Sequence, residues 1–411
     1  MAAGLAAGGR EVVLLRAGAA ADPAPEVPVD TGLLSVAPDD PRATEALGPL
    51  VNFVPTRGIL VDGRIAPLPM GVAGLVRLFS VSEQPRVVQA LAQARGRMAL
   101  AALIGGGREQ RSYADWVLQH YGAPVHARLH APYARKRWGP PEDIVCGVAR
   151  THHGPVAPNA VTVPAEGWGA VARRIAARVE TRAVAEVRGI TAAGIDTDAG
   201  LVAGAPWVDL PPHQLLPLLS DLDPTEIAHH VTRMHFRHGV EVIVRGGARL
   251  PFETHVVDAA LPFYRVVRTG LLPGTLHPDT LVVQFAVDDG PAWAAADADF
   301  VDAAVSGLTA AGVVVDAASA RVRRLPFFHP VWSTAHLVRL RHWLLFLEES
   351  GVVPIGRAGL ASPVDPGTVL RWLAGRVDDP PIELRELGRQ LLEPAVLDPV
   401  ERPHLRDFIV A

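Results

Sequence analysis

The chain of 411 residues contains one cysteine, Cys146, and one lysine, Lys136. A lone cysteine rules out an internal disulfide and a cysteine-rich zinc site, and it fits a reducing compartment, so a cytoplasmic location is expected. Positive charge is carried almost wholly by arginine, alongside abundant Ala, Gly and Pro, which reads as a GC-rich coding sequence and not as a function. Neither charge is in excess: 39 basic and 43 acidic side chains give a formal net charge of −4. That argues against a general nucleic-acid binder, which needs a basic domain or stripe. No run of 18 apolar residues occurs, so no membrane-spanning helix is expected. The Ala-rich start has no leading basic residues and is broken by Arg10 and Glu11, which makes it a poor signal peptide. There is no G-x-S-x-G elbow, which leaves a serine hydrolase without its nucleophile turn.

What is present suits a folded α/β protein. The length allows two or three folding units, and apolar types make up 49% of the chain. The 38 Gly and 37 Pro are scattered and mark many turns. Val12 to Leu15 is fully apolar, as a buried parallel strand is, and is expected beside the strand that ends at Ile355. Residues 50–66 read as short strands with a hairpin turn at Asp62-Gly63. The pattern turns helical over 71–103. Ser112 heads a further helix, with Asp115 in the role of the usual capping-box Glu. Strands are expected at Ala183–Val187, Leu201–Val202, Val240–Arg245, Tyr264–Thr269, Leu281–Ala286, Ala320–Leu325 and Val352–Ile355, and Val161–Pro164 leads into a Gly-rich turn at Glu166–Gly169. Helices are expected over Ala170–Arg178, Asp297–Ala311 and Pro366–Arg376.

Three separated segments carry a resemblance. Ser112-Tyr-Ala-Asp-Trp, followed by Pro132-Tyr133 and Lys136-Arg-Trp-Gly139, resembles the "S-x-x-D/E-W … P-Y … K-x-W-G" run of protoporphyrinogen-oxidase-like and UDP-galactopyranose-mutase-like flavoproteins, of the amine oxidase superfamily. Val163-Pro-Ala-Glu-Gly-Trp-Gly169 resembles the helix start "P-x-G-G" of those proteins. Ile355-Gly-Arg-Ala-Gly-Leu360 with Val364-Asp-Pro366 resembles their C-terminal flavin segment. The order agrees over roughly residues 1–375.

The resemblance implies an FAD/NAD(P)-binding Rossmann-like domain interleaved with a second α+β substrate domain. The first is expected from about 1–48, 150–210 and 330–378, the second from 49–149 and 211–329, with 379–411 as a C-terminal tail. It implies FAD as cofactor, contacted by Gly356, Arg357, Gly359, Val364, Asp365 and Arg16. A strand that ends at a glycine, followed by a helix start, allows close backbone approach and favours negative charge. The aromatic stretch Leu325–Trp332 reads either as a pocket wall or as core. On the first reading Phe327, Phe328, Trp332 and Tyr264 line a substrate pocket, and residues 356–366 line the main cavity beside them.

At its N-terminus the sequence departs from the pattern. A dinucleotide site needs a strand, then G-x-G-x-x-G, then a helix. The family pattern would place Met1 just after the last glycine. Arg16 stands where a ribose-binding Glu is expected, and Ala19 to Asp30 holds no glycine pair for a diphosphate. Two alternatives stand: a start codon placed too far downstream, or a protein that has given up canonical FAD binding. The function implied is an FAD-dependent oxidoreductase acting on an apolar or amphipathic small molecule. The alternative is a flavin-free relative that uses the old substrate cavity for binding or a non-redox step. The basic run Arg135-Lys136-Arg137 meets an anionic substrate or is solvated. His229, His230, His235 and His238 lack the i, i+4 spacing of helical metal ligands, so no metal is expected. No acid–base residue stands out.

Overall fold

The computed structural model describes residues 13–17, 48–104, 112–146, 161–220, 223–247, 249–275, 277–359 and 361. In chain order its strands are β1 (Val13–Ala17), β2 (Leu50–Phe53), β3 (Arg57–Val61), β4 (Arg64–Leu68), β5 (Val161–Pro164), β6 (Glu180–Val184), β7 (Val187–Thr191), β8 (Gly194–Thr197), β9 (Gly200–Ala203) and β10 (Trp207–Val208). They continue with β11 (Phe236–Gly246), β12 (Glu253–Val256), β13 (Arg265–Val267), β14 (Thr280–Val287), β15 (Val315–Pro330) and β16 (Val353–Pro354).

Local chemistry sets several of these elements. Asp62 and Gly63 both have positive φ, 48° and 70°, as a two-residue turn between twisted strands requires, and they join β3 to β4. Ser112 and Asp115 form the expected reciprocal capping box at the head of the helix Tyr113–Tyr121. Ser333 caps the helix Thr334–Ser350, which the sequence reading missed. It buries Leu337, Leu340, Leu344 and Leu347 on one face, a helical spacing that the sequence does carry.

The largest sheet has seven strands in the order β15-β11-β14-β13-β12-β3-β4, antiparallel except for the parallel pair β12–β3. Strand residues alternate between its two faces. One face carries Leu60, Val240, Val242, Val244, Val256, Val266 and Val283, and packs on Phe300, Ala304 and Leu308 of the helix Asp297–Ala310. The other carries Ile59, Val61 and Ala286, which join an aromatic cluster of Tyr113, Trp116, Tyr133, Trp138, Tyr264 and Trp332.

Two short parallel pairs lie outside this sheet: β1 with β6, and β10 with β16. The apolar start is therefore a parallel strand, but its described neighbour is β6, not the strand that ends at Ile355, which pairs with β10. Val13 and Leu15 are half-buried because four of the five β6 residues are exposed. Val12, the expected helix over Pro366–Arg376 and the tail lie outside the described residues. Among the described residues no helix is long and apolar enough to cross a membrane.

Candidate functional site

The aromatic stretch singled out in the sequence is the end of β15, and it is irregular. On β11, Arg237 pairs with His329 and Gly239 with Leu325, so three residues of β15 face the single His238. A bulge of this kind bends the strand and redirects side chains. Phe327, at its centre, has φ 53°, a conformation sparsely populated by bulky residues. His238 Nδ1 accepts the Phe327 backbone N–H at 3.1 Å and pins the bulge. The Phe327 ring stacks on His213, with centroids 5.0 Å apart. Phe328 lies over Gly239, where a Cβ would come within 2.9 Å of its ring.

Beside the bulge, a row of polar side chains runs straight across five strands. Register places Arg323 opposite Glu241, Glu241 opposite Gln284, Gln284 opposite Arg265, and Arg265 opposite His255. The side chains bond along this row. Arg323 pairs with Glu241, Gln284 Nε2 donates to Glu241 Oε1 at 2.8 Å, and Arg265 Nε donates to Gln284 Oε1 at 2.6 Å. Tyr264 donates its hydroxyl to the same Gln284 oxygen at 3.1 Å, and His329 Nε2 lies 3.1 Å from that hydroxyl. Glu253 binds both Arg265 and Arg57. Gln284, Glu241 and Tyr264 are each 1% exposed, so every member depends on its neighbours for hydrogen bonds.

This environment sets the charge states. Burial pushes the Tyr264 hydroxyl up to about 12, so it stays a donor. Burial raises the Glu241 carboxyl against the pull of Arg323 and Gln284. Burial acts the same way on Glu253, but His255 and the two arginines outweigh it and hold that carboxyl down to about 2. Burial also takes His255 down to about 4, so it is neutral at pH 7 and the arginines keep Glu253 ionised.

A second chain of contacts enters from the helix Ala131–Arg137. Arg137 Nη1 donates to the Tyr133 hydroxyl at 2.9 Å, which lies 3.1 Å from His255 Nδ1. The Arg137 guanidinium sits over the rings of Trp138 and Tyr264, 4.8 and 5.4 Å from their centroids. Lys136 is half-buried and turns its ammonium onto backbone carbonyls. Its Nζ donates to the carbonyls of Val256 and Asp258 at 2.7 Å and of Phe263 at 3.3 Å. Arg135 is exposed, and its carbonyl accepts from Arg237.

The expected cofactor turn follows β16. Ile355 N–H donates to the Val208 carbonyl, and Gly356–Gly359 then forms one helical turn. Gly359 is required by its own neighbour strand: a Cβ there would lie 2.5 Å from the Val208 oxygen. The carboxylate of Asp209 accepts the N–H groups of Gly359, at 3.4 Å, and of Ala358. Burial raises the Asp209 carboxyl against these two bonds.

The structure brings only some of the expected residues together. Tyr264 and Trp332 share the aromatic cluster on the sheet face. Phe327 packs on a different cluster, which holds Val208, Phe236 and Ala361, next to the Gly356 turn. Val364 and Asp365 lie outside the described residues, as do the side chains of Arg16, Gly356 and Arg357. The polar row was missed, although its signal was present. A single Glu in the apolar run of β11 and a single Gln in that of β14 sit at positions that face each other.

The fold as a whole matches known structures. A protein assigned as a protoporphyrinogen oxidase from Exiguobacterium matches with TM-score 0.63 and 16% identity, over 91% of this chain and 95% of that one. The chain shares the fold of that protein. Reduced UDP-galactopyranose mutase matches with TM-score 0.60 and 13% identity, over 77% of this chain and 75% of that one. Cyclohexylamine oxidase from Brevibacterium oxydans matches with TM-score 0.51 and 14% identity, over 92% and 96%. No protein-family model and no curated protein matches the sequence.

The described residues fit an FAD diphosphate only in part. The Gly356–Gly359 turn does offer amides to an anion, but the anion held there is the Asp209 carboxylate. The Ala358 and Gly359 amides are therefore not open to a phosphate, and Asp209 would repel one.

Proposed function

We propose that the protein is an enzyme, an FAD-dependent oxidoreductase that holds its cofactor weakly and acts on an apolar or amphipathic small molecule. The buried polar row beneath an aromatic cluster carries this reading, because a structural core gains little from so many ionised groups. Such groups are retained where a ligand must be oriented. In this reading segments 1–48, 150–210 and 330–378 form the cofactor half. Segments 49–149 and 211–329 form the substrate half of a cytoplasmic protein.

Cofactor contacts fall to Gly356, Arg357, Val364, Asp365 and Arg16, with Gly359 contributing its missing side chain and not its amide. When bound, the flavin supplies the two-electron chemistry. The chain's own part is to hold the substrate against the face that carries Trp332 and Tyr264, while Phe327 packs beside the Gly356 turn. The Tyr264 hydroxyl is engaged by Gln284 and His329, so this residue offers the substrate its ring and not its proton.

A second reading is a flavin-free relative that uses the same face for binding or a non-redox step. The Asp209 carboxylate on the turn amides favours it. Titration of the purified chain with FAD, followed by quenching of flavin fluorescence, separates the two. Saturable binding supports the first; no binding at millimolar FAD overturns it and leaves the second.

A further inference from the structure

We propose that Arg137 is the anchor for an anionic head, a carboxylate or phosphate ester, on the amphipathic molecule that this face takes. The inference rests on the substrate face proposed above and names the chemical class of its ligand.

Charge within the face is unbalanced. Arg57, Arg137, Arg265 and Arg323 meet only two carboxylates, Glu241 and Glu253, through the ion pairs and hydrogen bonds described. Three of the arginines have a carboxylate partner. Among the described residues Arg137 has none: one nitrogen donates to the Tyr133 hydroxyl, and Nε is buried with no hydrogen-bond partner. A buried donor without an acceptor is costly, and a charged one more so.

The geometry prepares this group for an anion. Trp138 and Tyr264 hold the guanidinium by their rings, which fixes its plane and leaves its edge to donate. A planar fork of donors matches a carboxylate or phosphate two-pronged. Tyr133 adds direction. Its hydroxyl accepts from Arg137 and so gives its own proton to His255 Nδ1, which leaves the guanidinium held from one side only. Around it the walls are aromatic, and the buried indole N–H of Trp332 in the same cluster also lacks a partner. An apolar body with one anionic end answers both features.

The test is calorimetric titration of the full chain with dodecanoate, dodecyl phosphate and dodecan-1-ol, which share one apolar tail. The expected result is that one or both anions bind at least tenfold more tightly than the alcohol, and the tighter of the two identifies the head. Arg137→Gln removes that preference, Arg137→Lys keeps part of it, and the surface variant Arg188→Gln keeps all of it. Equal binding of all three by the native protein overturns the anion anchor alone, and so does an undiminished preference in Arg137→Gln. No binding of any of the three overturns the anchor and the substrate face together. Should Arg137→Gln fail to fold, phenylglyoxal labelling of the native protein decides. Dodecanoate or dodecyl phosphate protects Arg137 and dodecan-1-ol does not; labelling that neither anion slows overturns the proposal.

Discussion

The Asp209 carboxylate accepts the backbone N–H of Gly359, 150 positions away, and so places a negative charge at the turn proposed to meet the cofactor. Asp209→Asn removes that charge and keeps a hydrogen-bonding side chain. The variant is expected to bind FAD about tenfold more tightly than the native chain, a gain of ~1.4 kcal/mol. Fluorescence titration of the two proteins side by side checks it. Unchanged or weaker affinity in the variant would mean that Asp209 does not compete with the cofactor.

Lys136 is the single lysine of an arginine-rich chain, and three backbone carbonyls converge on its ammonium. A compact point charge with three donors suits that cage, and a planar guanidinium does not. Lys136→Met strands carbonyls in a region where burial already takes the lysine down to about 8. The expected loss is roughly 2–4 kcal/mol of unfolding free energy in urea. Lys136→Arg is expected to be destabilising as well, despite its conserved charge.

The row across the sheet is a single network, so removing its centre harms both sides. Gln284→Leu takes an acceptor from Tyr264 and Arg265 and a donor from Glu241. A drop of about 2–4 kcal/mol is expected, since buried charged partners are left short of hydrogen bonds. In the double variant Gln284→Leu/Tyr264→Phe the second change is expected to cost less than Tyr264→Phe does alone. Equal costs would show that the two residues act independently.

Acid stability follows from buried histidine. His336 is 0% exposed with Nε2 3.1 Å from the Ala361 carbonyl, and burial takes it down to about 4. The folded chain thus refuses a proton that the unfolded chain accepts near the ordinary value of 6.5. Stability is full above that value and falls as pH drops toward about 4, by roughly 3 kcal/mol for this group. His255 acts in the same window. Glu253, held down to about 2, loses its contribution only below about 4.5, so urea unfolding between pH 7.5 and 5 isolates the histidines. His336→Gln is expected to flatten that slope; an unchanged slope would contradict the assignment.

Local signals carried much of the fold. Asp62-Gly63, the Ser112 capping box and the apolar strands were legible because each depends on residues close in sequence. Strand pairing was less so: β1 pairs with β6 across more than a hundred residues, and nothing in four apolar residues names a partner. The site was harder still. Glu241, Gln284 and Arg265 form a row only once register is set. Lys136 and Arg137 are neighbours in a basic run, yet one supports a loop through its carbonyls and the other lies between two rings. Phe327 and Trp332 sit five residues apart but pack in different clusters, because the bulge turns Phe327 away.

The most direct measurement on the central claim is the visible spectrum of the purified chain with excess FAD, recorded before and after gel filtration. The account predicts a shifted, bound-flavin band before filtration and its loss afterwards, since two of the turn amides already hold Asp209. A spectrum identical to free FAD at every concentration would contradict a flavin-dependent enzyme.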